Sequence, residues 1–224
     1  MNTRLGNQYT SIEESNKDKF LNNQIEIDTT WGKHISGATL QIDLNDAVRD
    51  VLGNYQKELD ALEPGNLLLL PRQFQHISFN QVVFWGGQYA LGTKGTWESI
   101  ASDFISAYKE LNNNFPSFKV MFSKLIATTG AIIWCAYDEN DQMENLRNTF
   151  LQKLPFPKET TRFNHIIHTT IARYKHTLNN PQHVYDFIQN KNHTVSMLVK
   201  KIILRKENIY PSIQTKNICY IKLK

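Results

Sequence analysis

The chain has 224 residues, of which 41% are hydrophobic and 21% charged, a composition ordinary for a soluble globular protein. That length suits one large domain or two small lobes, and the net charge of +4 suits a polyanionic ligand without requiring one. No apolar stretch approaches the roughly 20 residues that span a bilayer, and the N-terminus lacks an apolar signal-peptide core. Cys135 and Cys219 are too few for a disulfide framework or a zinc set, so we expect reduced thiols in a cytoplasmic protein.

The hydrophobic pattern divides the chain into a polar N-terminal segment and a series of strands and helices. Residues 1–35 are polar and aperiodic, so we expect an irregular lead-in, with Trp31 anchoring its end. The predicted strands cover residues 38–42, 75–84, 118–126, 131–137, 164–174, 195–204 and 218–223. The predicted helices cover about residues 46–62, 96–111, 139–154 and 181–188. A glycine-rich loop with Trp85 and Tyr89 follows the second predicted strand.

The order of these elements repeats within a single predicted domain of residues 36–224. A helix, a strand, a helix and two strands occur in residues 37–137, and a similar order follows in residues 138–224. Two equivalent lobes related by a rough two-fold axis would give an α+β protein. We therefore expect a bilobal arrangement of antiparallel sheets flanked by helices, with a cleft between the lobes.

Two short segments contain the candidate catalytic residues. His76-Ile77-Ser78-Phe79 and His168-Thr169-Thr170-Ile171 share the pattern histidine, any residue, hydroxyl residue, apolar residue. Residues i and i+2 of a strand share a face, so each segment presents a histidine and a hydroxyl group on the same side. If the lobes meet as the repeat predicts, both pairs line a single cleft.

Two imidazoles facing each other across a phosphate-sized cleft can act as a general acid and a general base. Histidine titrates near pH 6.5, so one ring can take a proton from the attacking oxygen while the other protonates the leaving oxygen. Ser78 and Thr170 can donate hydrogen bonds to the non-bridging phosphate oxygens. Such a site needs no metal or cofactor, and it suits in-line attack on a phosphodiester.

The two segments, at equivalent positions of a repeated element order, resemble the two-histidine (2H) phosphoesterase superfamily, also called LigT-like or 2′-5′ RNA ligase-like. The resemblance covers most of the chain from about residue 37 and extends in the second segment to Arg173. It implies a bilobal α+β fold with His76, Ser78, His168 and Thr170 as catalytic residues. It also implies a metal-independent phosphodiesterase whose substrate is a nucleotide, an oligonucleotide or an RNA end: a 2′,3′-cyclic phosphate, a 2′-5′ linkage or a cyclic nucleotide. Neither a membrane nor an obligatory protein partner is indicated.

Four further residues are candidates for substrate binding. Tyr174 shares the predicted face of the second histidine and can stack on a base, and Trp85 and Tyr89 in the glycine-rich loop are similar candidates. Arg173 suits a phosphate, but strict alternation directs it to the opposite face unless a β-bulge intervenes.

Other interpretations of the histidines and of the fold stay open from the sequence. Alternation places His165 on the opposite face, at a strand end or on the surface, and makes Thr169 structural. A zinc site of His165, His168 and His176 fits no standard spacing. The rival functions are a non-catalytic RNA- or nucleotide-binding module, a metal-dependent hydrolase, and an RNA-joining activity that reverses the same chemistry.

Overall fold

A computed structural model describes residues 3–160, 166–191 and 193–224. Within these ranges the helices are α1 (Thr3–Leu21), α2 (Asp46–Leu62), α3 (Gly92–Glu110), α4 (Gln142–Lys153) and α5 (Pro181–Asn190), with a short 3-10 helix at Arg72–Phe74. The strands are β1 (His34–Asp43), β2 (Leu67–Leu69), β3 (His76–Val83), β4 (Phe118–Ala127), β5 (Ile132–Asp138), β6 (Ile167–Tyr174), β7 (Val195–Val199), β8 (Lys201–Ile209) and β9 (Gln214–Lys222).

The strands form two antiparallel sheets. One sheet has four strands in the order β3-β1-β8-β9, and the other has five in the order β2-β6-β5-β4-β7. The predicted α+β class with two antiparallel sheets and flanking helices is therefore confirmed. Each sheet takes strands from both halves of the chain, so the sheets do not coincide with the sequence halves 37–137 and 138–224.

The predicted long strand at residues 195–204 is two strands that belong to different sheets. β7 pairs with β4, whereas β8 pairs with β1 and β9. The chain changes sheet at Lys200, whose carbonyl oxygen accepts a hydrogen bond of 2.8 Å from the N–H of Leu223. Apolar residues occur on both sides of the crossing, so periodicity alone does not mark the break.

Local signals place the elements that support the motif strands. Asn45 caps α2 by accepting a hydrogen bond of 3.0 Å from the N–H of Val48. The helix buries a stripe that includes Val48, Leu52 and Leu59, as its helical spacing predicts. β5, which pairs with β6, is buried at all 7 of its positions. β3 is an edge strand of the smaller sheet and contacts β6 of the larger one, so the two motif strands meet where the sheets meet.

The N-terminal segment is helical over Thr3–Leu21, which corrects the expectation of an irregular lead-in for this part of residues 1–35, whereas residues 22–33 are irregular apart from one β-bridge, as expected. α1 is a helix of 19 residues that buries Leu5, Tyr9 and Phe20 completely. The Tyr9 hydroxyl lies 2.5 Å from the carbonyl oxygen of Ala136 and 2.8 Å from that of Ile167. Few apolar residues mark this helix in the sequence, because its position depends on contacts with β5 and β6, far along the chain.

A segment that we call the N-terminal strap (residues 24–33) joins α1 to β1 and contacts both sheets. Ile27 forms a parallel bridge with Tyr174 at the end of β6, and the N–H of Asp28 donates to the Tyr174 carbonyl oxygen at 2.8 Å. At its other end the N–H of Gly32 donates to the Tyr210 carbonyl oxygen at 2.8 Å, and the N–H of Tyr210 donates back to the carbonyl oxygen of Lys33. The strap therefore bridges the end of β6 and the turn that follows β8.

Two sequence-based expectations, one about membrane-spanning segments and one about the cysteines, can be compared with the fold. The described ranges contain no helix with the length and apolar character needed to cross a membrane. Cys135 in β5 is buried and Cys219 in β9 is partly buried, and both are free thiols.

Candidate active site

A cavity of about 190 Å³ contains both histidine–hydroxyl pairs. Its walls come from the motif strands, the N-terminal strap and the turn after β8. The lining residues are Trp31, Leu70, His76, Ser78, Gln81, Trp85, His168, Thr170, Arg173, Glu207, Tyr210, Pro211 and Ser212. The structure thus brings together the four residues that the two sequence segments single out, and their catalytic role stays a prediction.

His76 and Ser78 face the cavity from alternate positions of β3. The His76 Nδ1 atom lies 2.7 Å from the carbonyl oxygen of Phe74, so Nδ1 carries a proton and donates it to that hydrogen bond. The other ring nitrogen, Nε2, lies 3.4 Å from the Ser78 hydroxyl oxygen. Burial lowers the pKa of His76 to about 4, Arg205 adds to this effect, and the Phe74 hydrogen bond and Asp43 oppose it. His76 is therefore neutral at pH 7, and its Nε2 atom accepts the hydrogen bond of the Ser78 hydroxyl.

His168 and Thr170 face the same cavity from β6, and Thr169 between them is 1% exposed, as alternation predicts. Burial lowers the pKa of His168 to about 4, and the charges of Arg147, His76 and Arg173 add to the effect. A phosphate beside these positive groups would raise the pKa of His168, because an anion favours the protonated ring. The surroundings of His168 thus link its protonation to the binding of an anion.

A β-bulge in β6 decides which side chain follows Thr170 on the cavity side. Thr170 and Ala172 pair with adjacent residues of β5, so Ile171 is an extra residue that shifts the alternation. Arg173, which strict alternation directs away from the site, consequently lines the cavity. The predicted orientation of Arg173 is therefore wrong, for the one reason that the sequence left open.

The same bulge turns Tyr174 into the core, so its predicted position facing the site is also wrong. Tyr174 is 0% exposed, and its hydroxyl donates to the carbonyl oxygen of Thr128 at 2.8 Å. Its ring packs against Phe20 of α1 with the ring centroids 6.2 Å apart. Tyr174 therefore supports the N-terminal helix and cannot reach a ligand in the cavity.

The two aromatic candidates of the glycine-rich loop have different positions. Trp85 lines the cavity and packs on Tyr210, with ring centroids 4.8 Å apart. The Tyr89 hydroxyl instead accepts a hydrogen bond of 2.9 Å from the N–H of Phe84 and lies 3.3 Å from the Thr160 hydroxyl oxygen. Tyr89 fixes the loop and lies outside the cavity lining, so the structure does not place it against a substrate.

Arg147 of α4 joins the two motif strands and is a residue that the sequence analysis missed. This side chain is 1% exposed. Its Nε and Nη2 atoms donate to the carbonyl oxygens of Phe79 and Ser78 in β3 at 2.8 and 2.9 Å. Its Nη1 atom donates to the carbonyl oxygen of Ile166, just before β6, at 3.0 Å. One guanidinium therefore fixes the separation of the segments that carry both histidines, and no sequence motif marks it.

A buried polar network supports the wall formed by β1 and β8. Arg205 donates to both carboxylate oxygens of Asp43 at 2.8 and 3.0 Å and to the Gln41 side-chain oxygen at 2.9 Å. The Gln41 side-chain nitrogen donates to the Ser212 hydroxyl at 2.9 Å, and Ser212 hydrogen-bonds Glu207. Burial raises the pKa of Glu207 above its ordinary value. The sequence signal for this wall is the alternation of polar residues, Gln41 with Asp43 in β1 and Arg205 with Glu207 in β8.

The alternative zinc site involving the histidines has no support in the described part of the chain. There, no group of three or more His, Cys, Asp or Glu side chains is arranged to hold a metal ion. His176 is exposed beyond the end of β6, outside the cavity lining. His165 lies outside the described residues.

Comparisons with known proteins relate the fold to solved structures, while no family profile and no curated protein matches the sequence. The structure of TT0787 from Thermus thermophilus aligns with a TM-score of 0.57 at 15% identity, over 83% of this chain and 97% of that one. Escherichia coli LigT complexed with 3′-AMP aligns with a TM-score of 0.53 at 11% identity, over 86% and 99% of the two chains. A protein described as a phosphoesterase aligns with a TM-score of 0.56 at 11% identity, over 85% and 99%. The chain therefore shares its fold with LigT and these other structures, and the LigT-like fold that the sequence resemblance implies is confirmed.

Proposed function

We propose that the protein is a metal-independent phosphodiesterase that acts on a nucleotide or RNA phosphodiester through two-histidine acid–base catalysis. The observation that carries this proposal is the convergence of His76, Ser78, His168, Thr170 and Arg173 on one cavity. Two imidazoles, two hydroxyl donors and one guanidinium are the groups that an in-line displacement at phosphorus uses. The LigT structures in complex with 3′-AMP, with ATP and with NADP+ support a nucleotide as the ligand class.

His76 is the group that fits the role of general base. Its Nδ1–H is held by the Phe74 carbonyl oxygen at 2.7 Å, which directs the lone pair of Nε2 to the cavity. When Nε2 takes the proton of the attacking hydroxyl or water, the same hydrogen bond and the nearby Asp43 carboxylate stabilise the imidazolium. The ring is neutral with one preset tautomer, and Nε2 becomes available when the Ser78 hydroxyl turns from it to the phosphate.

His168 is the group that fits the role of general acid. Burial and the charges of Arg147, His76 and Arg173 lower its pKa to about 4, and an anionic phosphate in the cavity would raise this pKa and favour the protonated ring. As the new P–O bond forms and the bond to the leaving oxygen breaks, the His168 proton passes to that oxygen. In the hydrolysis of a 2′,3′-cyclic phosphate, water adds a hydroxyl to phosphorus and one ribose oxygen leaves as an alcohol. In the reverse direction the two rings exchange roles.

Ser78, Thr170 and Arg173 fit the stabilisation of the phosphate itself. Ser78 follows His76 by two residues and Thr170 follows His168 by two residues, and both line the cavity. Their hydroxyl groups can donate hydrogen bonds to the non-bridging phosphate oxygens. Arg173 contributes positive charge from the same strand as His168. Removal of a single such donor from an oxyanion typically lowers turnover about 10²- to 10³-fold.

Hydrolysis assays in the presence of EDTA test the proposal. The substrates are the four 2′,3′-cyclic nucleotides, 2′-5′-linked dinucleotides and cyclic dinucleotides, and wild-type protein is expected to hydrolyse members of at least one class. His76→Ala and His168→Ala should each lower turnover about 10²- to 10⁴-fold, as expected for a lost acid or base. His176→Ala is the matched control, because this histidine is exposed and outside the cavity lining.

Each outcome distinguishes the proposed function from its rivals. Activity that EDTA abolishes would contradict the metal-independent mechanism, and unchanged activity in both histidine variants would contradict the site. Binding of nucleotides without turnover of any substrate would favour the non-catalytic module. Joining of a 2′,3′-cyclic end to a 5′-hydroxyl end, in preference to hydrolysis, would favour the RNA-joining activity.

A further inference from the structure

The N-terminal strap places an aromatic side chain in the cavity that carries the two histidines. Trp31 lines this cavity together with His168, Thr170 and Arg173. We propose that Trp31 stacks on the base of the substrate and that the strap closes this end of the cavity, so that the protein acts on a terminal or small nucleotide. This inference rests on the proposed function, because it assumes that the cavity takes a nucleotide phosphodiester.

The strap is held at both ends by backbone hydrogen bonds to different sheets. Asp28 bonds to Tyr174, the last residue of β6, at 2.8 Å, and Gly32 bonds to Tyr210, just after β8, at 2.8 Å. The strap thus ties the end of β6, in the five-stranded sheet, to the turn after β8, in the four-stranded sheet, and Arg173 and Tyr210 beside these two points both line the cavity. In the arrangement that we propose, the strap limits the space for further nucleotides beyond Trp31.

Trp31 has no aromatic partner among the described residues, unlike the other tryptophan of the cavity. Trp85 packs on Phe84 and Tyr210, with centroid separations of 5.3 and 4.8 Å. Trp31 is only partly buried, and its ring stacks on no other aromatic ring among residues 3–160, 166–191 and 193–224. An indole that lies in a polar cavity beside a phosphate-binding group is a stacking platform for a base.

Asp28 connects the position of Trp31 to that of Arg173. Its Oδ1 atom accepts hydrogen bonds from the N–H groups of Thr30 and Trp31 at 2.9 and 3.1 Å, which sets the turn that carries the indole. Its Oδ2 atom lies 3.6 Å from Nε of Arg173, whose guanidinium also lies over the Tyr210 ring, 5.2 Å from its centroid. One buried carboxylate therefore positions the base platform relative to the cation that faces the phosphate.

Binding measurements with 3′-AMP and with inorganic phosphate distinguish the contribution of the base to affinity from that of the phosphate. We expect Trp31→Ala to weaken the binding of 3′-AMP about 5- to 100-fold, the range of one base stack, and to leave the affinity for inorganic phosphate within about twofold. Trp31→Phe should recover most of the loss, because a smaller aromatic ring still stacks. Ile27→Ala is the control on the strap, since Ile27 is 39% exposed and outside the cavity lining. Isothermal titration calorimetry measures both affinities, and quenching of tryptophan fluorescence by 3′-AMP should shrink in Trp31→Phe.

Equal losses for 3′-AMP and phosphate in Trp31→Ala, or no loss for either, would overturn the base platform. The closed end is tested by cleavage of a 2′-5′-linked dinucleotide and of the same linkage placed inside a hexanucleotide. Wild-type protein should prefer the dinucleotide by at least about tenfold in kcat/KM, and equal rates would overturn the closure. The binding arm does not need turnover: base-dependent binding with no hydrolysis of any substrate would overturn the proposed function and leave the platform supported.

Discussion

The lowered pKa values of the two partly buried histidines predict an acid-shifted pH optimum for the proposed reaction. Acid–base catalysis needs one ring neutral and the other protonated, and in the free protein the pKa of both His76 and His168 is about 4. At pH 7 a ring with that pKa is protonated in roughly one molecule in a thousand. We therefore expect kcat/KM to rise about tenfold for each pH unit as the pH falls from 7 toward 5, and to level near pH 4.

The profile of kcat should differ, because it reports the pKa values of the complex with substrate. An anionic phosphate beside His168 favours the protonated ring, so the maximum of kcat should lie at a higher pH than that of kcat/KM. Arg173→Gln removes one of the charges that lower the pKa of His168. In this variant the basic limb of kcat/KM should move to higher pH even though the absolute rate falls.

Initial rates measured at constant ionic strength from about pH 4 to pH 8 give both profiles. NMR titration of the two histidine Cε1 protons measures the same pKa values without turnover, with His76→Ala and His168→Ala providing the assignment. A kcat/KM maximum near pH 7 would refute the reasoning, because histidines with ordinary pKa values of about 6.5 would then suffice. A basic limb that does not move in Arg173→Gln would refute the role given to Arg173.

Two further predictions concern stability. The pKa of His76 and of His168 is near 6.5 in the unfolded chain and about 4 in the folded protein. Their contribution to the free energy of unfolding is therefore complete above pH 6.5 and is lost as the pH falls to about 4, by about 3 kcal/mol per ring. Urea unfolding at several pH values measures this loss, and a free energy of unfolding that is constant over this interval would contradict the folded-state pKa values. Arg147→Met should lower the free energy of unfolding by about 3–5 kcal/mol, because three carbonyl oxygens lose a charged donor. The control is Arg72→Met, because the Arg72 side chain is 48% exposed and forms surface ion pairs. This variant should lower the free energy of unfolding by at most about 1 kcal/mol. Equal losses in the two variants would show that Arg147 is not the link between the motif strands.

Features that depend on neighbouring residues could be predicted from the sequence alone. The period-two geometry of a strand is local, so the spacing of His76 and Ser78, and of His168 and Thr170, was enough to place each pair on one face. The helical stripe of α2 and its Asn45 cap are local in the same sense. These signals, together with the repeated order of elements, led to the correct fold class and to the four residues that meet in the cavity.

Features that depend on distant partners required the folded chain. The register of β6 against β5 makes Ile171 an extra residue, and this single insertion brings Arg173 into the cavity and sends Tyr174 into the core. Arg147 donates hydrogen bonds to backbone carbonyl oxygens, which every residue carries. No pattern of side chains in the sequence therefore indicates its partners in β3 and before β6. The same holds for Trp31, whose place in the cavity follows from backbone hydrogen bonds between the strap and two sheets. A sequence pattern fixes which side of its own strand a residue occupies, whereas only the pairing of that strand with others decides what the side chain meets.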